Sequence, residues 1–323
     1  MTGKDKKLLS QKVNMQLVVI SVGLVLLMLF FTFNTKRFLS SKNLLNVMLQ
    51  TSIAVMLAIA ETFVIITGCI DLSIGSVSAA AGMITAICLN GRMPVPVAIL
   101  LGLLTGVVCG LLNGFTITVL GIVPFIATLG SNSIMRGLIY VILNGIPLSC
   151  SSAGKSFTWI GQGELAGWLP YPVIFMIIVS VFATILLSRT KFGRQVYAIG
   201  SNENTAFLSG IKVKQMKFKV YMLSALLSSI AGVILTSRVA SASPTAGEGD
   251  ETYAIAAAVI GGASMSGGKG NMIGTIIGAF IIGVLNNGLN LIGLSSFWQQ
   301  VAVGFVIILA VYLDVIRIRI KER

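Results

Sequence analysis

The chain has 323 residues, of which 55% are hydrophobic and only 10% charged, with a mean hydropathy of +0.95. Soluble domains carry about 25% charged residues, so this composition excludes a soluble enzyme and predicts an all-α integral membrane protein, with room for about ten helices at about 20 apolar residues per crossing. The excess of 23 Lys and Arg over 10 Asp and Glu would mark a nucleic-acid binder in a soluble chain, but in a membrane protein it is first a guide to orientation.

In chain order, 1–14 carries Lys4, Lys6, Lys7 and Lys12 ahead of an apolar run over 15–33. That run is too long for the core of a signal peptide and reads as a retained first span. Further apolar stretches lie at 44–66, 72–89, 95–118, 122–143, 171–188, 218–237, 253–267, 271–290 and 297–316, making ten, with 253–267 the shortest. With the N-terminus inside, Lys4, Lys6, Lys7, Lys12, Arg189, Lys191, Arg194, Lys212, Lys214, Lys217, Lys219, Lys269, Arg317, Arg319, Lys321 and Arg323 fall on the inner face, sixteen in all. Lys36, Arg37, Lys42, Arg92, Lys155 and Arg238 fall outside and Arg136 within a span, so sixteen against six places both termini in the cytoplasm. The whole chain is then one membrane domain, with a cytoplasmic segment over 1–14, a cytoplasmic loop over 189–217 and a cytoplasmic tail over 317–323.

Two polar segments interrupt this pattern. The outer one, 144–172, contains Trp159 and Trp168, which suit the headgroup level. The inner one, 188–219, has room for a short helix, because Ser201 or Asn202 can cap a run through Thr205, Ala206 and Leu208 that Gly210 stops. A basic loop lying on anionic lipid fits the same residues.

Self-comparison reveals a weak repeat. Gly110-Leu-Leu-Asn113-Gly resembles Gly283-Val-Leu-Asn286-Asn-Gly at an offset of 173, and Leu120-Gly121 before Phe125 resembles Ile292-Gly293 before Phe297 at 172. Ile74-Gly75 sits opposite Glu248-Gly249 at 174. The two copies run in opposite directions across the membrane, as in inverted-repeat transporters, so spans two to five should superimpose on spans seven to ten. Both copies carry a glycine stripe, Gly102, Gly106, Gly110 and Gly114 in one and Gly270, Gly274 and Gly278 in the other, whose expected use is close helix packing.

Little in the chain resembles catalytic machinery. There is no histidine, and Cys69, Cys88, Cys109 and Cys150 have no metal-ligand spacing. The segment from Gly262 to Gly270 has a phosphate-loop look but places Ala263 where the motif needs glycine and Gly270 where it needs Ser or Thr. No cofactor, metal or nucleic acid is therefore expected. Charges inside spans cost about 2.5–3.5 kcal/mol on insertion scales, so Glu61, Asp71 and Arg136 each need a reason. Asp71 can cap the third span or contact a solute; Arg136 can neutralise Glu61, bind helix carbonyls or donate to a polar solute. Asn113, Asn132, Asn286, Asn287, Asn290, Trp298, Gln299 and Gln300 suit a neutral sugar or polyol, or equally hydrogen bonds between helices.

Several strings in order resemble the permease subunits of ribose-type ABC importers. They are Ile65-Ile-Thr-Gly-Cys-Ile-Asp-Leu-Ser-Ile-Gly-Ser76, Phe125-Ile-Ala-Thr-Leu-Gly130, Arg136-Gly, Gly193-Arg-Gln-Val-Tyr-Ala-Ile-Gly-Ser-Asn202, Leu208-Ser-Gly-Ile211, Ser243-Pro-Thr-Ala-Gly247, Gly267-Gly-Lys-Gly270 and Leu285-Asn-Asn-Gly-Leu-Asn-Leu-Ile-Gly293. The resemblance covers nearly all of the chain after the first span. It implies a ten-helix subunit of cobalamin-importer architecture, a homodimer with the solute path near the fifth and tenth helices, an extracytoplasmic sugar-binding protein and a cytoplasmic ATP-binding subunit. On this reading Glu61, Asp71, Asn113, Phe125, Asn132, Arg136, Asn286, Asn287, Asn290, Trp298 and Gln299 belong to the path. The loop between spans six and seven docks the ATPase through Gly193, Arg194, Ala198, Gly200, Asn202, Ser209 and Gly210. The chain departs from the pattern at Glu61, where Gln or Met is common, at Cys69, where a second Gly stands, and at Tyr253 in place of Asp, with Glu251 retained. These departures leave the solute open, and a membrane carboxylate also fits a cationic one. Two other classes remain: a secondary transporter running on an ion gradient through Glu61 and Asp71, and a non-transporting scaffold that anchors an ATPase.

Overall fold

Helices form at all ten apolar stretches, with ends set by local punctuation. The computed structural model describes residues 3–150 and 155–322. In chain order these contain α1 (Gly3–Asn34), α2 (Ser41–Ile66), α3 (Ile74–Asn90), α4 (Val95–Thr118), α5 (Pro124–Leu143), α6 (Lys155–Gln162), α7 (Tyr171–Arg189), α8 (Lys191–Ser201), α9 (Glu203–Leu208), α10 (Val213–Val239), α11 (Asp250–Ile260), α12 (Met272–Leu291) and α13 (Ser296–Glu322). Two small antiparallel ribbons tie loops together, β1 (Leu148–Ser149) with β4 (Ser241–Ala242) and β2 (Glu164–Leu165) with β3 (Leu169–Pro170). Of the cations assigned to the inner face, Arg323 and the side chains of Lys4, Lys6, Lys7, Lys12, Arg317, Arg319 and Lys321 lie outside the described residues.

Proline stands in the first turn of α4, α5 and α7, where its missing N–H costs nothing. Ser40 and Asn271 cap α2 and α12 by accepting the N–H groups of Asn43 and Ile273. α5 ends on Asn144 in the left-handed conformation, φ +50°, a role asparagine tolerates better than most residues.

Among the described residues seven helices are long and apolar enough to cross a membrane: Met15–Asn34 within α1, then α2, α4, α5, α7, α10 and α12. α3, with 17 residues, and the apolar part of α13, Ser296–Leu309, are shorter. The stretch 253–267 is helical only in its first part: α11 has 11 residues and stops at Ile260, about 16 Å of helix. Beyond it Gly262, Gly267 and Gly268 hold φ of +97°, +79° and +71°, and left-handed residues end a right-handed helix rather than extend it. A second interruption separates α2 from α3 at 67–73, with Gly68 at φ +77°.

α2 and α10 form the axis. α3 and α4 pack on α10, whereas α11 and α12 pack on α2, and the two axial helices touch each other. The glycine stripe of α4 faces inward: a Cβ on Gly106 would come within 2.5 Å of the Ser229 side chain and 2.6 Å of the Ala225 carbonyl, and one on Gly110 within 2.8 Å of Met222 Cα. In the second stripe Gly274 and Gly278 meet the carbonyls of Gly261 and Ala257. Such contacts are the packing expected where lipid removes the hydrophobic drive between helices. All four cysteines are buried and free. By contrast α5 buries only Thr128, Ile139 and Leu143, and α13 exposes Phe297, Trp298, Val301, Phe305 and Ile308.

Candidate solute path and coupling surface

The interruption at 67–73 returns the chain alongside α2 and brings two carboxylates together in the interior. Glu61 is 0% and Asp71 1% exposed. The backbone N–H of Asp71 donates to Glu61 Oε1 at 3.1 Å. Asp71 Oδ1 accepts from the backbone N–H of Ser73 at 2.9 Å and from its hydroxyl at 2.6 Å, and Oδ2 accepts from Ser224 Oγ of α10 at 3.1 Å. Asn113 of α4 donates through Nδ2 to Ser73 Oγ at 2.8 Å, while the Ile70 carbonyl accepts from Tyr221 of α10 at 3.3 Å and Thr128 of α5 at 3.4 Å. Asp71 does not cap α3 as expected: the N-cap is Ser73, which makes no side-chain capping bond, and Asp71 instead holds the N–H of Ser73 in the turn before the helix. Glu61 Oε2 has no hydrogen-bond partner among the described residues. This hub joins α2, α4, α5 and α10, and the side chains of Glu61, Asp71, Ser73, Asn113 and Ser224 in it are buried.

Arg136 does not neutralise Glu61. Its guanidinium donates to the carbonyls of Pro244 and Ala246 at 2.8 and 2.7 Å, pinning the loop between β4 and α11 to α5. Of the three roles open to it, binding carbonyls is the one adopted, with loop carbonyls in place of helix-terminal ones.

The remaining candidates are dispersed rather than gathered. Phe125 is exposed on α5, and Asn132, one turn before Arg136, has its Oδ1 buried without a partner. On α12, Asn286 likewise has an unpartnered Oδ1 and Asn290 is exposed. Asn287 is committed: it accepts from Asn43 Nδ2 at 2.9 Å and donates back to Asn43 Oδ1 at 3.1 Å. On α13 Trp298 is 64% exposed and Gln299 donates to the Leu294 carbonyl at 3.1 Å. α5 packs on α3 and α4 but α13 on α11 and α12, so within this chain the two sets lie on separate helix groups.

Sequence reasoning passed over Ser73, Tyr221 and Ser224, which look like ordinary polar residues until 67–73 folds back on them. Asn43 was missed because it stands just before the apolar stretch. Glu251 was noted but not placed; its Oε2 is unpartnered and lies where a Cβ on Gly75 would approach within 2.7 Å.

The segment after α7 forms two helices instead of the one short helix expected. Thr190 caps α8 by accepting from Gly193 N–H at 3.3 Å, and Asn202 caps α9 by accepting from Thr205 N–H at 2.8 Å. Gly210, φ +80°, follows α9 as anticipated. Val196 and Ile199 are buried while Lys191, Arg194, Asn202, Ser209 and Gly210 are exposed. Gly193 and Gly200 point inward, where a Cβ would strike the carbonyls of Leu187 and Ile66, so these two seat α8 rather than meet a partner. Ala198 is half-buried. α9 projects Phe207 and Leu208, 68% and 84% exposed, and an ion pair at 2.7 Å from Lys217 to Glu203 fixes α9 against α10.

Residues 43–311 match a protein-family profile described as branched-chain amino acid transport system, permease component. The chain is 46% identical to the ribose import permease protein RbsC of Bacillus subtilis (strain 168), covering 91% of both chains. It is 40% identical to the D-allose transport system permease protein AlsC of Escherichia coli (strain K12), covering 90% of this chain and 88% of that one. The xylose transport system permease protein XylH of the same strain is 33% identical, covering 94% and 93%.

Proposed function

The chain belongs to this family of membrane transport permeases, and we propose that it is the membrane subunit of an ATP-driven importer of a monosaccharide or related polyol. The observation that carries the proposal is the 46% identity to a ribose import permease over 91% of each chain. Local chemistry favours a neutral solute over the amino acid in the profile's description. An amino acid carries two charges that need counter-charges, but Glu61 and Asp71 are sealed inside and Arg136 is engaged by Pro244 and Ala246. Among the described residues, the buried side-chain oxygens of α5 and α12 left without partners are the amide oxygens of Asn132 and Asn286.

In this proposal the basic end of the bundle faces the cytoplasm, with both termini there. Two copies meet through α5 and α13, whose faces are bare in one subunit, and the outer surfaces of α1 and α7 meet lipid. Phe125, Asn132 and Arg136 from α5, Asn286 and Asn290 from α12, and Trp298 and Gln299 from α13 then line a path between the copies. The buried hub of Glu61, Asp71 and Asn113 supports that path from behind, and Asn287 fastens α12 to α2. The ten helices include α3 and α11 as short members of an inverted repeat; the exchanged packing, α3 and α4 on α10 and α11 and α12 on α2, supports that symmetry. The permease itself is not an enzyme: a separate ATP-binding subunit docks on 189–217 through Lys191, Arg194, Phe207 and Leu208, and a sugar-binding protein delivers solute on the other side.

Reconstitution in vesicles with the ATP-binding subunit and binding protein tests this by uptake of labelled ribose, allose and xylose. Uptake should require ATP and survive collapse of ion gradients; uptake driven by a proton or sodium gradient without ATP would overturn it. Charge reversal by Lys191→Glu with Arg194→Glu should lower co-purification of the ATP-binding subunit, and unchanged recovery removes the docking assignment.

A further inference from the structure

The glycine-rich stretch 262–270, a failed phosphate loop by spacing, has a defined mechanical position. It closes on itself through Gly267 N–H to the Ser264 carbonyl at 2.9 Å and Ser264 N–H to the Lys269 carbonyl at 3.1 Å. It is attached to the last residue of α2 by Gly268 N–H to the Ile66 carbonyl at 2.9 Å. The two helix interruptions of the fold therefore meet at one point.

α8 lies directly on that meeting point. A Cβ on Gly200 would strike the Ile66 carbonyl and Gly268 N, one on Gly267 would come within 2.8 Å of the Gly200 carbonyl and 2.9 Å of Gly68 N, and one on Gly268 within 2.7 Å of Ser201 Oγ. At the other end of α8, Phe192 meets Phe63 of α2 edge-on with ring centroids 6.1 Å apart. Between them Tyr197 donates its hydroxyl to the Gly270 carbonyl at 2.8 Å. Burial pushes this phenol up to about 12, so it remains a neutral donor throughout the physiological range. At Gly200, Gly267 and Gly268 backbone rests on backbone, and interlocked backbones transmit a displacement without the rotamer slack of long side chains.

We propose that 264–270 is the second arm of the coupling apparatus: α8, the end of α2 and this segment move as one body, and Tyr197 is the positioning residue that holds 264–270 to α8. The inference rests on the reading of 189–217 as the docking loop and adds the route by which a push on that loop enters the bundle. The route has two branches. One runs up α2 from Ile66 to Glu61 and across to Asp71, into the hub. The other runs through Gly270 to the cap of α12 at Asn271.

The test is Tyr197→Phe in the complete reconstituted importer, which removes one hydroxyl and keeps the ring. Co-purification of the ATP-binding subunit and its ATP hydrolysis should match the unaltered complex, while labelled ribose taken up per ATP hydrolysed should fall about two- to tenfold, the weight of one net hydrogen bond. An unchanged ratio overturns the proposal, and so does loss of the bound ATP-binding subunit, which would make Tyr197 a docking residue. Gly200→Val, which forces α8 off Ile66, should lower the ratio further if size-exclusion chromatography shows it folded; if it is not folded, Tyr197→Phe decides alone. Failure of the docking reading is seen separately, in full recovery of the ATP-binding subunit with the Lys191→Glu and Arg194→Glu variant.

Discussion

Replacing Asn43 or Asn287 separates a fastening role from a place in the solute path. The two amides exchange hydrogen bonds of 2.9 and 3.1 Å between α2 and α12, and Asn43 Nδ2 also donates to the Phe38 carbonyl at 2.9 Å. Both side chains are buried. Asn43→Leu strands the Asn287 amide and Asn287→Leu strands that of Asn43, each at a cost of about 1–3 kcal/mol. The double variant strands neither. Side-chain hydrogen bonds between membrane helices average about 0.6 kcal/mol and reach about 1.7, so two of them give an interaction energy of about 1–2 kcal/mol in the cycle. The Phe38 bond is lost in both variants lacking Asn43 and cancels. Unfolding by SDS titration in mixed micelles measures the four proteins, and uptake by the double variant should be largely kept. Additive costs within about 0.3 kcal/mol, or a stable double variant without uptake, would refute the reasoning and return Asn287 to the solute path.

Three further outcomes follow from single sites. Gly106→Leu must push α4 from Ser229 and Ala225, costing at least the ~1–3 kcal/mol of overpacking; Gly23→Leu on α1, with nothing within 4 Å, should leave the folded yield on size-exclusion chromatography unchanged. Arg136→Gln removes the charged Nη1 donor from Pro244 and Ala246, about 1.5–3 kcal/mol per bond, and should speed proteolysis within 243–249; Arg136→Lys should restore part of the protection, because one ammonium, like Nη1, can donate to two carbonyls. Cys150 is buried, and burial pushes its thiol up to about 11, which disfavours the reactive thiolate at neutral pH. It should resist maleimide until the protein is denatured, while Thr205→Cys on exposed α9 labels at once.

Composition and hydropathy alone determined that this is a multi-pass helical membrane protein, because lipid leaves a backbone few ways to satisfy itself and each crossing needs a long apolar run. Local signals also narrowed the caps and stops that involve neighbours in sequence: Ser201 or Asn202 as the cap, of which the structure uses Asn202, and Gly210 as the stop. Ordered family strings placed the chain among the permeases. Hydropathy could not tell a span from a short helix followed by irregular backbone. A run over 253–267 is apolar in either case, although the helix ends where Gly262 turns left-handed and Gly274 of α12 packs against the Gly261 carbonyl. Nor could it choose between uses of a polar side chain, because the partners lie far away along the chain. Asn287 finds Asn43 at a separation of 244 residues, Arg136 finds Ala246 at 110, and Asp71 finds Ser224 at 153. The same physics made 264–270 unreadable as a joint: its meaning is the end of α2 and the face of α8 that it touches, and only the packed chain brings those three backbones together.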